Sequence, residues 1–293
     1  MLSELMALGQ PRPRFGSEVA ASLRDELERA LAPVVHEPLS VNKRDLSQVH
    51  ACETHYSAQA DEAFAWNVRN GVGTVVHRAV ELSVAAPADR HPLDLVGQAI
   101  ESLAADDPRN AMRDYLQNAP ESVLNELRAA ANEAVVKFQE CWPPLQRAWK
   151  PRAEMRIRAQ LCDGRLELQG KVDLALGLPR GDEARELFVD LKTGRSYPSH
   201  LDDLRFYALV QLLRAGVAPF RVASYYFDTA TFHHEDVTLE SLEIALRRTI
   251  DGVEKLCALR RGDRAPTITP GPTCSYCRLN DTCDGARQWQ EDR

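Results

Sequence analysis

Two acidic residues and a lysine lie at the ends of two apolar stretches in the second half of the chain. Asp173 lies within "QGKVDLALG", and Asp190 and Lys192 lie within "FVDLKTG". Residues two apart on a strand point to the same face, so Asp190 and Lys192 would lie side by side. Carboxylates are the oxygen ligands that Mg²⁺ and Mn²⁺ prefer, and a nearby lysine can orient a water or offset negative charge. The combination suits metal-assisted hydrolysis of a phosphodiester.

The same residue types are also common on solvated strands, so the short D-x-K pattern alone does not identify a site. The residues around the two acids favour a functional site over a solvated strand. Asp173 follows Gly170 in an otherwise apolar strand, and Asp190 follows Leu-Phe-Val in a strand that we expect to be buried. A buried carboxylate without a partner is costly, so these two acids are expected to have a function.

The motifs together resemble those of the PD-(D/E)xK nuclease superfamily, and within it the RecB-like branch that includes AddB-type and CRISPR-associated nucleases. "GKVD" matches G-x-x-D, "DLK" matches D-x-K, and "GTVVH" matches the G-x-x-x-H of an upstream helix. The resemblance implies that His77, Asp173 and Asp190 bind Mg²⁺ or Mn²⁺. It also implies that Lys192 positions the attacking water.

One motif of that branch is altered. The helix after D-x-K usually carries Q-x-x-x-Y, whereas this chain has "DLRFY", so Tyr207 matches but Asp203 replaces the glutamine. A carboxylate there would repel phosphate, which implies altered substrate handling, a shifted role for Arg205 or reduced activity. By resemblance, Tyr207 belongs to the catalytic site, with Arg205 and Arg195 contacting the DNA backbone. Glu154 is either an auxiliary acid or an ordinary surface residue.

Three cysteines near the end of the chain have the spacing C-x2-C-x5-C, and a closed thiolate site needs a fourth ligand. They are Cys274, Cys277 and Cys283. An iron–sulfur subgroup of the branch pairs such a triplet with one upstream cysteine, and "LSVNKRDLSQVHACETHY" supplies Cys52. The resemblance therefore implies a structural [4Fe–4S] cluster. A four-cysteine zinc site has the same ligand count, and a site completed by His55 or water also remains open.

The remaining cysteines are isolated from one another, and we predict that they are small buried apolar residues. They are Cys141, Cys162 and Cys257.

The resemblance implies a metal-dependent deoxyribonuclease, acting as an exonuclease on single-stranded or frayed DNA in repair, recombination or CRISPR and other defence. The chain has no helicase motif, so unwinding would need a helicase, CRISPR or repair protein as partner. The alternative is a catalytically silent iron–sulfur module that binds DNA or assembles with other proteins. A third hypothesis is a redox sensor in which loss of the cluster switches DNA binding.

The elements that must position these residues are predicted from hydrophobic periodicity and turn residues. Helices are expected before residue 141, with breaks at "ADDPRN" and "NAPES", and two strands joined at Asp163-Gly164 are expected after Pro151. A third strand, a helix closed by Gly216, two more strands and a last helix follow. The predicted fold is α/β: a restriction-endonuclease-like core with a central mixed sheet flanked by helices, a helical N-terminal region and a cysteine-rich tail.

We divide the chain into four parts by these changes in pattern. They are an N-terminal arm at 1–37, a helical region at 38–150, the nuclease core at 151–265 and the cluster-binding tail at 266–293.

Charge and hydropathy limit the remaining possibilities. The net charge of −7 argues against a surface that is basic throughout, but "RAWKPRAEMRIR" could form a local basic groove or a solvated strand edge. No apolar run is long enough to span a membrane, and the first residues do not resemble a signal peptide. We therefore expect a cytoplasmic protein with no membrane partner.

Overall fold

A computed structural model describes residues 2–59, 65–85, 90–107, 109–142 and 145–292 of the chain. Within these residues the chain forms eleven α-helices: α1 (Leu2–Met6), α2 (Ser17–Leu31), α3 (Lys43–Ala51), α4 (Glu53–Gln59), α5 (Val68–Ala85), α6 (Pro92–Ala104), α7 (Ala111–Asn118), α8 (Glu121–Cys141), α9 (Ser199–Ala215), α10 (Leu239–Arg261) and α11 (Asp284–Glu291). The strands are β1 (Leu39–Val41), β2 (Arg152–Leu161), β3 (Leu166–Leu176), β4 (Leu187–Lys192), β5 (Arg221–Tyr226) and β6 (Thr231–Asp236).

The six strands form one mixed sheet that is centred on the long strand β3. Strand β2 pairs with β3 in antiparallel register along most of its length. The opposite edge of β3 is shared, because β1 pairs with 166–168 in parallel and β4 pairs with 174–176 in antiparallel register. Strands β5 and β6 extend the sheet beyond β4. The residues of β3 between these two pairings are therefore free to face the space between β1 and β4.

Local sequence explains why the sheet core forms where it does. The β2–β3 hairpin turns at Cys162, Asp163 and Gly164, whose φ angles are all positive, and Asp-Gly is well suited to such a turn. Every residue of β5 is buried, so both of its faces are covered. Helix α9 packs on the sheet at β2, β3 and β5, with α10 behind it. The predicted α/β fold, with a mixed sheet flanked by helices, is confirmed.

The helical N-terminal half packs against this core through a shared hydrophobic interior that runs from Leu5 to Cys257. Helix α5 contacts α6, α8 and β2, and the ring of Phe138 of α8 packs edge-to-face against that of Tyr225 of β5. This core includes residues of the first three parts of the predicted division, and the four-part division of the chain stays a prediction.

Several predicted elements differ in detail from the structure. The pattern of "PLSVNKRDLSQVHACETHY" predicts one short helix, but the segment begins with β1 and then forms α3 and α4. Cys52 lies between the two helices in an extended conformation, with φ −168° and ψ 117°. Hydrophobic periodicity also predicts a helix from residue 61 to about residue 86. The structure has α5 at Val68–Ala85, and residues 61–64 and 86 lie outside the described residues.

Three further features complete the fold. The short helix α1 was not predicted from the sequence. Gly216 and Gly262 end α9 and α10 with positive φ angles, as glycines at helix C-termini commonly do. No helix in the described part of the chain has the length and apolar character needed to cross a bilayer.

Helix α9 approaches β3 so closely that a side chain at Gly170 would collide with it. A Cβ atom at Gly170 would lie 2.5 Å from Cε1 of Tyr207, whose side chain is buried. The glycine of G-x-x-D and the tyrosine after D-x-K are therefore one packing unit.

We expect Gly170→Ala to lower the free energy of unfolding by about 1–3 kcal/mol, because the buried Tyr207 ring must move to make room for the methyl group. Gly97 is the matched control, since a Cβ there meets no atom within 4 Å and alanine favours the helix. Urea denaturation of both variants measures the difference. Equal stability of Gly170→Ala and the wild type would contradict the close packing.

The C-terminal tail is attached to α4 by an ion pair with a buried carboxylate. Glu53, which is 5% exposed, accepts two hydrogen bonds from Arg264, at 2.5 and 2.7 Å, and one from the Thr267 amide at 2.9 Å. The bonds from Arg264 outweigh burial and lower the pKa of Glu53 from 4.5 to about 2. The pair holds the tail beside Cys52.

Because the pKa of Glu53 is lowered, its ion pair with Arg264 contributes fully to stability above pH 4.5. That contribution is lost as the pH falls towards 2. Because Arg264 is partly exposed, we expect Glu53→Gln to lower the free energy of unfolding at pH 7 by about 2 kcal/mol. The loss of stability between pH 5 and pH 3 should also be smaller in the variant. Urea denaturation across this range measures both, with Glu243→Gln, in an exposed pair with Arg247, as control. An unchanged pH dependence in Glu53→Gln would show that Glu53 does not attach the tail.

Candidate active site

Three acidic residues lie in one row across the three central strands. The pairs Ala153↔Leu174 and Met155↔Val172 place Glu154 opposite Asp173. The pair Leu174↔Val189 places Asp190 opposite Asp173 on the other side. Asp173 and Asp190 are the first residues beyond the end of the β3–β4 ladder, and Asp173 instead accepts a 2.7 Å hydrogen bond from the Leu191 amide.

His77 of α5 lies over this row and orients one nitrogen towards it. Nδ1 is 3.3 Å from Oδ1 of Asp173 and 3.6 Å from Oε1 of Glu154, while Nε2 is 3.0 Å from the Leu191 carbonyl oxygen. A carbonyl only accepts, so Nε2 carries a hydrogen and Nδ1 faces the acids. Burial alone would lower the pKa of His77, but Asp173 and Glu154 raise it to about 10.

These residues have the donor set of a divalent cation site. The ligand atoms of His77, Glu154 and Asp173 all lie within 4.8 Å of one another. Carboxylate oxygens with one imidazole nitrogen suit Mg²⁺ or Mn²⁺, and a carbonyl that orients the other ring nitrogen is a common outer partner of a metal-binding histidine. The residues therefore fit the metal that the resemblance implies.

Glu154 reaches this group through an unusual backbone conformation. Its φ angle is +51°, which lies in the left-handed region that residues other than glycine seldom adopt. Lys171 on β3 forms an ion pair with the carboxylate, and Lys171 and His77 together hold the pKa of Glu154 below its ordinary value despite burial. Of the two roles considered for Glu154, the auxiliary acid fits this position better.

Asp190 is 1% exposed and lies between two ammonium groups. Lys192 Nζ is 2.7 Å from Oδ2, as the alternation along the strand predicts, and Lys43 Nζ is 2.6 Å from Oδ1. Burial would raise the pKa of Asp190, but Lys43 and Lys192 lower it well below its ordinary value. The three predicted metal ligands therefore lie in two groups. Asp173 and His77 lie beside Glu154, whereas Asp190 lies between Lys43 and Lys192.

Lys43 was missed by sequence reasoning. "NKRD" predicts a capped helix start, and the Asn42 side chain does accept from the amides of Arg44 and Asp45. No local signal predicts that the first residue of this helix pairs with Asp190, 147 positions away in the chain. Lys43 Nζ also lies 4.9 Å from the Tyr207 ring centroid.

Asp203, the substitution for glutamine, points towards α3. Its Oδ1 accepts a 2.7 Å hydrogen bond from the Ser47 hydroxyl. Burial raises the pKa of Asp203, and Lys43 opposes that shift. The carboxylate is therefore paired with groups of α3, so the repulsion of phosphate expected from the sequence is reduced.

A basic groove of about 530 Å³ leads to Asp173 and Tyr207. Its cationic lining residues are Lys43, Arg44, Arg156, Arg158 and Lys171. A second cleft, of about 660 Å³, shares His77, Arg156 and Lys171 with this groove. Its wall also includes Ser102, Asp106 and Asn110 of the helical region.

The other predicted basic residues have different roles. Arg152 donates a hydrogen bond to the buried Glu186, and Arg205 donates two hydrogen bonds to Glu235. Arg195 lies in an exposed loop, and the contacts of Arg205 and Arg195 with DNA stay predictions.

The four predicted cluster cysteines lie around one stretch of the tail. Cys52 Sγ accepts a hydrogen bond from the Thr269 amide, and Cys274 Sγ accepts one from the Gly271 amide. A Cβ atom on Gly285 would lie 2.7 Å from Ile268 and 3.9 Å from Cys283 Sγ. Among the described residues, no three of the four sulfur atoms lie within 4.8 Å of one another.

The other cysteines largely match expectation, since Cys162 and Cys257 are buried and Cys141 is partly buried.

Comparison with known proteins places the chain in a family. The model of the PD-(D/E)XK nuclease superfamily matches residues 39–284. No curated protein sequence matches the chain.

Two solved structures are similar to this one. A protein from Eubacterium rectale, described provisionally as an exonuclease, has a TM-score of 0.50 and 14% identity over 94% of this chain and 93% of its own. The structure of SSO0001 has a TM-score of 0.37 and 13% identity over 92% of this chain and 97% of its own, and we draw nothing from it. The first supports the fold alone. Because the family model spans most of the sequence, including both acidic motifs, the chain belongs to the PD-(D/E)XK nuclease superfamily.

Proposed function

We propose that this protein is a metal-dependent deoxyribonuclease, acting as an exonuclease on single-stranded or frayed DNA. The observation that supports it is the meeting of Asp173, Asp190 and Lys192 with His77 and Glu154 at one point of the sheet. A role in repair, recombination or defence in the cytoplasm, with a separate protein to unwind duplexes, is part of the proposal.

The metal would be held by carboxylates of the acidic row and by Nδ1 of His77. When bound, Mg²⁺ or Mn²⁺ polarises the scissile phosphate and acidifies the attacking water. Lys192 contributes an ammonium group beside Asp190 that can orient that water or offset charge as the phosphate is attacked. The Leu191 carbonyl and amide fix His77 and Asp173 in place.

The groove supplies a path for the substrate. Arg156 and Lys171 are directly opposed on neighbouring strands and lie in the groove beside Asp173. Lys171 is paired with Glu154, so this carboxylate offsets part of the positive charge and a backbone phosphate can offset the rest. We propose that Arg156 and Lys171 contact backbone phosphates on either side of the bond that is cut.

The alternative is a catalytically silent module that binds DNA or assembles with other proteins. The replacement of glutamine by Asp203 motivated it, but Asp203 is hydrogen bonded to Ser47 rather than directed into the groove. The retention of both acids and the lysine favours catalysis.

We expect the anaerobically purified protein to cut end-labelled DNA with Mg²⁺ or Mn²⁺ and not with EDTA, and to prefer single strands. Lys192→Ala should slow cutting at least about 100-fold, since it removes the ammonium group that acts on the water or the phosphate. Lys255→Ala, in an ion pair with Asp251 on α10, is the matched control. Binding without cutting under every metal condition would favour the silent module.

We further propose that Cys52, Cys274, Cys277 and Cys283 hold a [4Fe–4S] cluster with a structural role. Sulfur atoms around one tetrahedral zinc ion lie about 3.8 Å apart, which is closer than these cysteines approach as a group. A four-iron cluster bonds each thiolate to a different iron and so suits a wider arrangement. Amides of the tail donate to two of the sulfur atoms, which is a common way to stabilise bound thiolates.

We expect about four iron and four sulfide ions per chain, and a loss of both in Cys52→Ser because one iron loses its thiolate. Cys257→Ser, which alters a cysteine of α10, should keep its iron. Metal and sulfide analysis with visible absorption measures this, and unfolding experiments should show that the cluster-free chain is less stable. Stoichiometric zinc without iron in anaerobic protein would overturn the assignment. Equal DNA affinity of the oxidised and reduced forms would exclude the redox sensor.

A further inference from the structure

The second cleft beside the acidic row serves no step of the chemistry proposed above. Its volume of about 660 Å³ lies within the range of pockets that hold small organic ligands. Of its lining residues, all but Gly73 and Leu103 have polar side chains. A cleft with this lining suits a ligand that forms hydrogen bonds along much of its surface, as the sugar of a nucleotide does.

The cleft and the basic groove adjoin at the candidate metal site. Asp173 lines the groove, Glu154 lines the cleft, and His77 lines both cavities. The ligand atoms of these three residues lie within 4.8 Å of one another. A strand that lies in the groove with a phosphate at the acidic row would therefore continue into the cleft.

Helix α5 contacts both the sheet and α6, and it forms the floor of the cleft. His77 faces the sheet, with Nδ1 3.6 Å from Oε1 of Glu154. Arg78 faces α6, where its Nε and Nη2 atoms donate to Oγ of Ser102 at 3.0 and 2.6 Å. The near wall of the cleft is thus the acidic row, and the far wall is formed by the end of α6 and the loop that follows it.

The two cavities differ in charge. Among the described residues that line the cleft but not the groove, Arg78 is the one cation, and its Nη1 donates to Oε2 of Glu81 at 2.5 Å. The acidic residues of this set are Glu81, Asp106 and Glu154. A strand that ran on through the cleft would bring further phosphates to these carboxylates, which would repel them.

The far wall offers hydrogen bonds that suit a sugar hydroxyl group. Asp106 accepts hydrogen bonds from Nδ2 of Asn110 and from the Asp107 amide, both at 2.8 Å, and its carboxylate has further lone pairs. The Ser102 hydroxyl accepts twice from Arg78, so it can donate its own hydrogen to an oxygen in the cleft. A hydroxyl group can donate to Asp106 and accept from Ser102, whereas a terminal phosphate is negatively charged and is repelled by Asp106.

We propose that the cleft binds the terminal nucleoside of the DNA strand that enters the active site, and that it accepts an end with a free hydroxyl group and rejects an end with a phosphate. The choice of DNA as ligand rests on the proposed nuclease function. The strand lies in the groove, Arg156 and Lys171 contact its phosphates where the two cavities adjoin, and its end occupies the cleft. The metal site then acts close to a strand end, which is the behaviour of an exonuclease.

The test compares three short oligothymidine strands, one with hydroxyl groups at both ends, one with a 5′ phosphate and one with a 3′ phosphate. Isothermal titration calorimetry in EDTA, which withholds the catalytic metal, measures binding without cutting. We expect one phosphorylated strand to bind about tenfold more weakly than the strand with two hydroxyl ends, because its phosphate would enter the cleft beside Asp106. The other should bind no more weakly, because its phosphate lies at the end that stays outside the cleft. The weakened strand identifies the end that the cleft accepts.

Asp106→Asn should remove most of this difference, because it removes the carboxylate that repels the phosphate. Glu81→Gln should reduce the difference as well, because the charge of Arg78 is then no longer neutralised, and this variant leaves the hydrogen bonds of Asp106 in place. Asp114→Asn makes the same change on α7, at an exposed residue that lines neither cavity. It is the matched control and should keep the full difference.

Binding by the wild type that responds equally to a phosphate at either end, or to neither, would overturn the proposal. A difference that persists in both Asp106→Asn and Glu81→Gln would overturn it too, because the carboxylates of the cleft would then not cause it. A wild type that discriminates between the ends but cuts nothing would contradict the nuclease proposal while supporting the role of the cleft. Metal-dependent cutting by a protein that does not discriminate between the ends would support the nuclease and overturn the role of the cleft.

Discussion

The structure depends on neutralising three carboxylates that lie side by side in the middle of a sheet. Glu154, Asp173 and Asp190 are opposed across three adjacent strands, and two of them are almost fully buried. Buried charge of one sign is very unfavourable without partners, so the fold must bring positive groups to this place. The cationic or protonated partners come from four elements: Lys43 of α3, His77 of α5, Lys171 of β3 and Lys192 of β4.

This requirement explains why the helical first half is joined so closely to the sheet. Two of the partners lie on helices that precede the first long strand by many residues. Gly73 allows α5, the helix that carries His77, to approach the sheet closely. A Cβ atom at Gly73 would lie only 3.3 Å from the Thr193 hydroxyl at the end of β4. The close approach of α5 lets His77 reach both the Leu191 carbonyl and the acids. The glycine of G-x-x-x-H is thus a packing residue, and the histidine is the group that it positions.

Helix α3 links the two candidate metal sites. Lys43 lies at its first position, against Asp190, and Cys52 follows its last residue, beside the tail. Nine residues of α-helix span about 14 Å, so the cysteine site and the acidic row lie at opposite ends of one short rigid element. The side chain of Asn42 fixes the start of the helix, and Glu53 fixes the tail just after its end. Helix α3 therefore connects the cysteine beside the tail to the lysine that neutralises Asp190.

The sequence predicted the elements and the motif residues better than the contacts between them. Turn chemistry at Asp163-Gly164 and the closing glycines of two helices are local, so they could be predicted without tertiary knowledge. The pairing of Lys43 with Asp190, the left-handed backbone of Glu154 and the capture of Arg205 by Glu235 depend on strand register and helix packing. Residue spacing along the chain carries no information on any of these.

Charge distribution reconciles an acidic protein with a polyanionic substrate. The net charge of −7 is spread over the whole molecule, whereas the groove that leads to Asp173 is lined by cations. Screening at physiological ionic strength limits the reach of distant charges to about 8 Å, so a phosphate in the groove responds mainly to the side chains beside it. Arg156 and Lys171 are opposed on neighbouring strands, and the ion pair of Lys171 with Glu154 offsets their repulsion in the unbound sheet. The positive potential of the groove is therefore local, and it is set by a few side chains rather than by the net charge of the whole protein.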